Sequence, residues 1–153
     1  MNEVERDTDY LSKCMRFYVR VKGNKIGAIQ WDRDQANAED ARGHFGAKGA
    51  LFSEDPGFRD KDVWTQAGEY FTGVTIYYDK NRVWALQFKT SEGRTIPSHS
   101  AIPSEKEIDV QQFKKLQCSE CAAEPNEHIV GFFGKYDHQA TMFSLGVAFQ
   151  VKA

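Results

Sequence analysis

The chain is short of cysteine, of proline, of long apolar runs and of net charge. Only three of its 153 residues are cysteines, Cys14, Cys118 and Cys121. An odd, low count excludes a disulfide-stapled scaffold. No run of about 18 apolar residues occurs, so no membrane-spanning helix is expected. The first nine residues hold four acids and no apolar stretch, which is no secretory signal. The simplest expected location is cytoplasmic, with secretion left open for a mature or trimmed chain. Lys and Arg total 20 against 22 Asp and Glu, a net charge of −2. That balance argues against a grip on nucleic acid phosphates, which needs a concentrated basic face, and against a polybasic membrane binder. What the chain does have is aromatics, at 13%, with 11 Phe and 6 Tyr. Aromatic side chains favour strands.

The pattern along the chain is one of strands and turns. Met15, Phe17, Val19 and Val21 alternate with Arg16, Tyr18, Arg20 and Lys22. This period of two marks a half-buried strand. Gly23 and Asn24 make a hairpin dipeptide, and residues 26–31 (IGAIQW) form the return strand. Residues 32–49 are polar and contain glycine, and read as a loop. Two further hairpins follow. Residues 72–78 (TGVTIYY) and 83–88 (VWALQF) flank a turn at 79–82, with a second tight turn at 91–94. Residues 128–133 (HIVGFF) and 142–149 (MFSLGVAF) flank a polar loop from Gly134 to about Thr141.

The three return strands resemble one another. The stretches IGAIQW, VWALQF and FSLGVA begin at residues 26, 83 and 143, giving spacings of 57 and 60. Three like hairpins at near-equal spacing imply a pseudo-threefold β architecture. No one hairpin can bury its own apolar face, so the three must share a core. Residues 104–121 break the pattern, having no glycine. Ser104-Glu-Lys-Glu107 fits a capping box, with Lys114 and Lys115 late, which suits a short helical insertion near 104–117, while residues 108–110 (IDV) equally suit a strand. Cys118 and Cys121 form a C-x-x-C. A zinc site needs further ligands that are not evident, and a redox pair would open a helix. Two loop thiols are expected.

These residues resemble the jacalin-related lectins, a family with the type I β-prism fold. IVGFFG at 129–134 followed by SLGV at 144–147 is similar to the family's closing strand pair. GEYFTG at 68–73 and LQFKTSEGR at 86–94 are similar to its middle part, and VRVKG at 19–23 with IGAIQ at 26–30 to its first repeat. HFGAKG at 44–49 stands where the family has a glycine-rich stretch. The animal zymogen-granule lectins look closest. The resemblance implies an all-β prism of three Greek-key-like four-stranded sheets over 14–153, with an N-terminal extension over 1–13.

The resemblance also implies sugar binding without catalysis, with no cofactor and no metal. The family site lies at one end of the prism, in a loop of form G-x-x-x-D between the last two strands. Here that loop offers Gly134, Lys135, Tyr136, Asp137, His138 and Gln139. They supply donors, acceptors and one ring. The turn of the second repeat, Asp79, Lys80, Asn81 and Arg82, is the family's second, specificity-tuning loop; Asp and Asn are also ordinary turn residues. The sequence departs from the pattern. His138 replaces the loop aspartate, Phe143 stands where an aspartate precedes the last strand's glycine, and no glycine lies before Cys14. No catalytic set is evident among His44, His99, His128 and His138, and Asp137 beside His138 is a poor acid–base pair. Two readings stay open. One is a lectin for a glycan or glycoprotein. The other is a β-prism that has lost sugar binding and serves protein interaction or assembly, homo-oligomers included.

Overall fold

The computed structural model describes residues 4–6, 14–23, 25–33, 42–47, 57–66, 68–98, 101–102, 115–137 and 141–151. Among them are strands β1 (Val4–Arg6), β2 (Cys14–Lys22), β3 (Lys25–Arg33), β4 (Arg42–Gly46), β5 (Phe58–Trp64), β6 (Phe71–Tyr78), β7 (Val83–Thr90), β8 (Thr95–Ile96), β9 (Gln117–Ala122), β10 (Glu127–Tyr136) and β11 (Met142–Val151). They form three sheets in the orders β4-β3-β2-β5, β8-β7-β6-β9 and β1-β11-β10. The hairpins β2–β3 and β6–β7 occupy the middle of the first two sheets, and β10–β11 is their counterpart in the third, where β10 is the edge strand among the described residues. Threefold repetition is therefore a property of the fold as well as of the sequence.

The alternation in β2 does what period two requires. Phe17, Val19 and Val21 are fully buried, while Arg16, Tyr18 and Arg20 stand on the outer face. The inner faces of all three sheets meet in one core. At its centre Phe17 packs against Phe71 and Phe88 of the second sheet and Phe132 of the third, with ring centroids 4.8, 5.1 and 5.3 Å away.

Each hairpin also carries two bulges at matching places. The outgoing strands skip a partner at Met15, Thr72 and Val130, and the return strands at Gly27, Trp84 and Phe143. A bulge inserts one residue and reverses which face the following side chains take. This decides the two aromatics of that set. Trp84 and Phe143 share parity with the core residues Leu86 and Leu145, so an unbroken strand would bury them. The bulges turn them out: Phe143 is 41% exposed while its neighbour Met142 is buried. Trp84 is half-buried.

Several expectations need correction. Residues 42–46, expected within a loop, form β4 beside β3. Of its two glycines, Gly43 is there because Trp31 fills the space. A Cβ on Gly43 would lie 2.0 Å from the Trp31 indole nitrogen, and one on Gly131 2.8 Å from the same ring. Glycine thus marks backbone packed onto an indole, and not a turn. Cys118 and Cys121 lie on strand β9, not in a loop, and Gln117 opens that strand antiparallel to β6. The expected helix falls mainly on 104–114, outside the described residues. The third sheet has three strands among the described residues, not four. Within the expected N-terminal extension, Val4–Arg6 lies parallel to β11. β1 thus takes the place that β4 and β8 hold, antiparallel, in the other sheets.

Candidate functional site

The three hairpin turns gather at one end of the prism. Tyr70, just before β6, and His128, at the start of β10, have rings 6.3 Å apart, so these hairpins run side by side in the same sense. Phe17, early in β2, touches Phe71 at the start of β6. Near the far end of β10, Tyr136 meets Phe45 of β4 with ring centroids 5.4 Å apart. Phe45 pairs with Ile29, on the part of β3 that follows the first turn. With the hairpin strands running in the same sense, these contacts place the turns at Gly23 and 79–82 and the Asp137–Thr141 closure at one end.

The first turn is minimal. Lys22 and Lys25 pair across it, and Gly23 takes φ +60°, the left-handed conformation of a two-residue hairpin. The second turn is built by its own carboxylate. Asp79 Oδ1 accepts from the N–H groups of Asn81 at 2.8 Å and Arg82 at 3.0 Å. Burial opposes ionisation of Asp79, but these N–H groups and the Arg82 guanidinium outweigh it and hold the carboxyl below its ordinary value. Asp79 is thus largely spent on shaping the turn. Arg82 lies flat on Trp84, its guanidinium carbon 3.5 Å from the ring centre. Burial lowers its pKa, without discharging an arginine at neutral pH. Lys80 and Asn81 are exposed.

The third turn leaves β10 through Gly134, where φ is +148° and a Cβ would stand 2.2 Å from the Ser144 carbonyl oxygen. Only glycine fits there. Lys135 and Tyr136 are exposed on the last residues of the strand, which runs further into the expected loop than its polar sequence implies. Asp137 closes the loop twice over. Its N–H donates to the Thr141 carbonyl at 3.0 Å, and its Oδ1 accepts from the Thr141 N–H at 2.8 Å. The carboxylate is therefore held in place at the rim. His138 and Gln139 lie outside the described residues.

Of the expected site residues, Gly134, Lys135, Tyr136 and Asp137 thus share an end with Asp79, Lys80, Asn81 and Arg82. Sequence reasoning missed Trp84 and Phe143, the two bulged aromatics of the return strands. The signal available was their common place just after a turn, but residue parity pointed the other way.

The cysteine pair makes no joint site. Three residues apart on a strand, the side chains point to opposite faces, and Cys118 is exposed while Cys121 is buried. Burial pushes both thiols up, Glu120 adding to the effect at Cys118, so neither is an activated thiolate. No cluster of three metal-binding side chains occurs among the described residues.

A family model of the Jacalin-like lectin domain matches residues 3–148. The chain belongs to this family. Its β-prism is shared by solved jacalin-like lectins. A prostate-specific WGA16 glycoprotein lectin superposes with a TM-score of 0.65 at 14% identity, over 95% of this chain and 88% of the other. A galactose-specific lectin from Artocarpus hirsuta, in complex with methyl-α-D-galactose, gives 0.60 at 17%, over 94% and 96%. A mannose-binding jacalin-related lectin from Ananas comosus gives 0.57 at 17%, over 95% and 88%. A search of curated proteins found no significant match. Identities this low establish the shared fold, and the family places this jacalin-like domain among carbohydrate-binding proteins at that general level.

Proposed function

We propose that the protein is a non-catalytic lectin that binds an oligosaccharide at the prism end bearing the hairpin turns. The observation that carries this reading is the third turn. Gly134 gives it a close, rigid base, Asp137 is held at its rim, and Tyr136 presents a ring that is 47% exposed and braced by Phe45. A fixed carboxylate beside an exposed ring matches a sugar, which has hydroxyls on its edge and an apolar face. His138 and Gln139 continue the loop. Lys80, Asn81 and Arg82 belong to the neighbouring turn and take the residues beyond the first sugar. Mannose and galactose, the sugars named for two related structures, are the first to test.

Phe143 favours a second reading. An exposed phenylalanine at the bulge where β11 leaves the third turn is an apolar spot suited to a protein partner. A glycan array separates the two. On the lectin reading, a defined set of glycans binds, and Tyr136→Ala with Asp137→Ala weakens it at least tenfold. If no glycan binds, and Phe143→Ala abolishes a pull-down that the double variant leaves intact, the protein-interaction reading replaces it.

A further inference from the structure

The opposite end of the prism carries a second arrangement of the same chemical kind. On the outer face of the β4-β3-β2-β5 sheet, Arg16, Asp32, Trp64 and Thr65 line a shallow hollow of about 420 Å³. It lies at the start of β2, the end of β3 and the end of β5, away from the turn at Gly23. Trp64 is 57% exposed, the most exposed large aromatic side chain among the described residues. A tryptophan normally hides most of its surface, so an open indole on a sheet needs a reason.

Its surroundings are ordered for a ligand. Arg16 pairs with Asp62, and its guanidinium carbon sits 4.8 Å from the Tyr18 ring centre and 5.8 Å from that of Trp64. The Tyr18 hydroxyl donates to Asp32 Oδ2 at 2.7 Å, which orients that carboxylate. Arg94 donates to the Trp64 main-chain carbonyl at 3.4 Å and is itself anchored by the buried Glu69. The Trp64 backbone and the Asp32 carboxylate are thus held before any ligand arrives, which lowers the cost of binding.

We propose that this hollow is a second saccharide site, for a neutral pyranose. The indole covers the apolar face of the sugar ring, while the Asp32 carboxylate and the Arg16 guanidinium take adjacent hydroxyls as acceptor and donor. Among the described side chains, Asp32 and Asp62 stand with Arg16 at the hollow and the nearby Arg94 is paired with Glu69, which favours a neutral sugar over an acidic one. With the turn end as a first site, the domain has sites at opposite ends and can bridge two glycans.

The test is a titration of the full chain with methyl α-mannoside, methyl α-galactoside and methyl β-N-acetylglucosaminide, followed by the tryptophan indole N–H resonances. Trp64→Ala identifies the Trp64 signal. The expected result is a saturable shift of that signal with at least one glycoside. Asp32→Asn should weaken the affinity read from that shift at least tenfold, and Tyr136→Ala should leave the Trp64 shift unchanged. A Trp64 signal that stays still with all three glycosides overturns the second site, whatever happens at the turn end. A shift that disappears in Tyr136→Ala also overturns it, because the ligand then sits at the other end. Loss of the turn-end responses alone, with the Trp64 shift intact, removes the first site and leaves the second standing.

Discussion

Phe17→Ala is expected to lower the unfolding free energy by about 4 kcal/mol, in the range of fully buried phenylalanine truncations. Phe17 has no exposed surface and its ring is the meeting point of the three sheets. Beyond Phe71, Phe88 and Phe132, it also lies 6.4 Å from Trp31 in an edge-on contact. Truncation leaves a cavity that no single sheet can close, because its walls belong to all three. Phe143→Ala provides the contrast: an exposed ring on the outer face should change stability by less than about 0.5 kcal/mol. Urea unfolding of both variants checks this. A Phe17→Ala cost below about 1.5 kcal/mol would mean that the three sheets do not depend on a common aromatic centre.

Much of this architecture was legible in the sequence, for a physical reason. The inner face of each central hairpin must be apolar with period two, and β2 shows it from Phe17 to Val21. The repeat of return strands at 26, 83 and 143 reflects three hairpins completing one core. The peripheral strands were less legible. β4 packs glycine onto Trp31, so its sequence carries no apolar pattern to detect. β9 and β5 sit at sheet edges with alternate residues in water, and β1 is only three residues long. Bulges defeated the rest. One inserted residue after a turn reverses parity, so Phe143 and Trp84 looked like core and are not.

The candidate site was legible as a loop and not as a surface. Gly134 and Asp137 were reached through the resemblance to a family loop of form G-x-x-x-D, and the structure gives the glycine its reason in the close approach of the Ser144 carbonyl. That Asp79 would be consumed by its own turn, while Arg82 lies on Trp84, depends on side-chain geometry that spacing does not encode. The Trp64 hollow was out of reach for the same reason. Its residues Arg16, Asp32 and Trp64 are far apart in the chain and are joined only by cross-strand register.

Glu69→Gln is expected to cost roughly 3 kcal/mol at pH 7, the lower end for breaking a buried ion pair whose partner reaches solvent. Glu69 is 1% exposed, and both its oxygens are engaged. Oε2 accepts from the Thr90 hydroxyl at 2.6 Å and Arg94 Nε at 2.8 Å, and Oε1 from Arg94 Nη2 at 2.6 Å and the Gln66 N–H at 2.9 Å. The Arg94 hydrogen bonds are the main reason its carboxyl falls from an ordinary value of 4.5 to about 2, against the effect of burial. A lowered folded-state pKa stabilises the fold above the unfolded value. The contribution is therefore complete at neutral pH and drains away as pH falls from about 4.5 towards 2. Glutamine keeps the size and loses the charge, so the variant should approach the parent in stability near pH 2.5. Urea unfolding of both proteins at pH 7 and pH 2.5 measures this. A gap that stays the same at both pH values would assign the loss to packing, not to the ion pair. The same carboxylate holds Arg94 against the Trp64 carbonyl, so if it acts by charge, acid should loosen the Trp64 platform before it unfolds the prism. The Trp64 indole signal broadening at a higher pH than global unfolding would record that order.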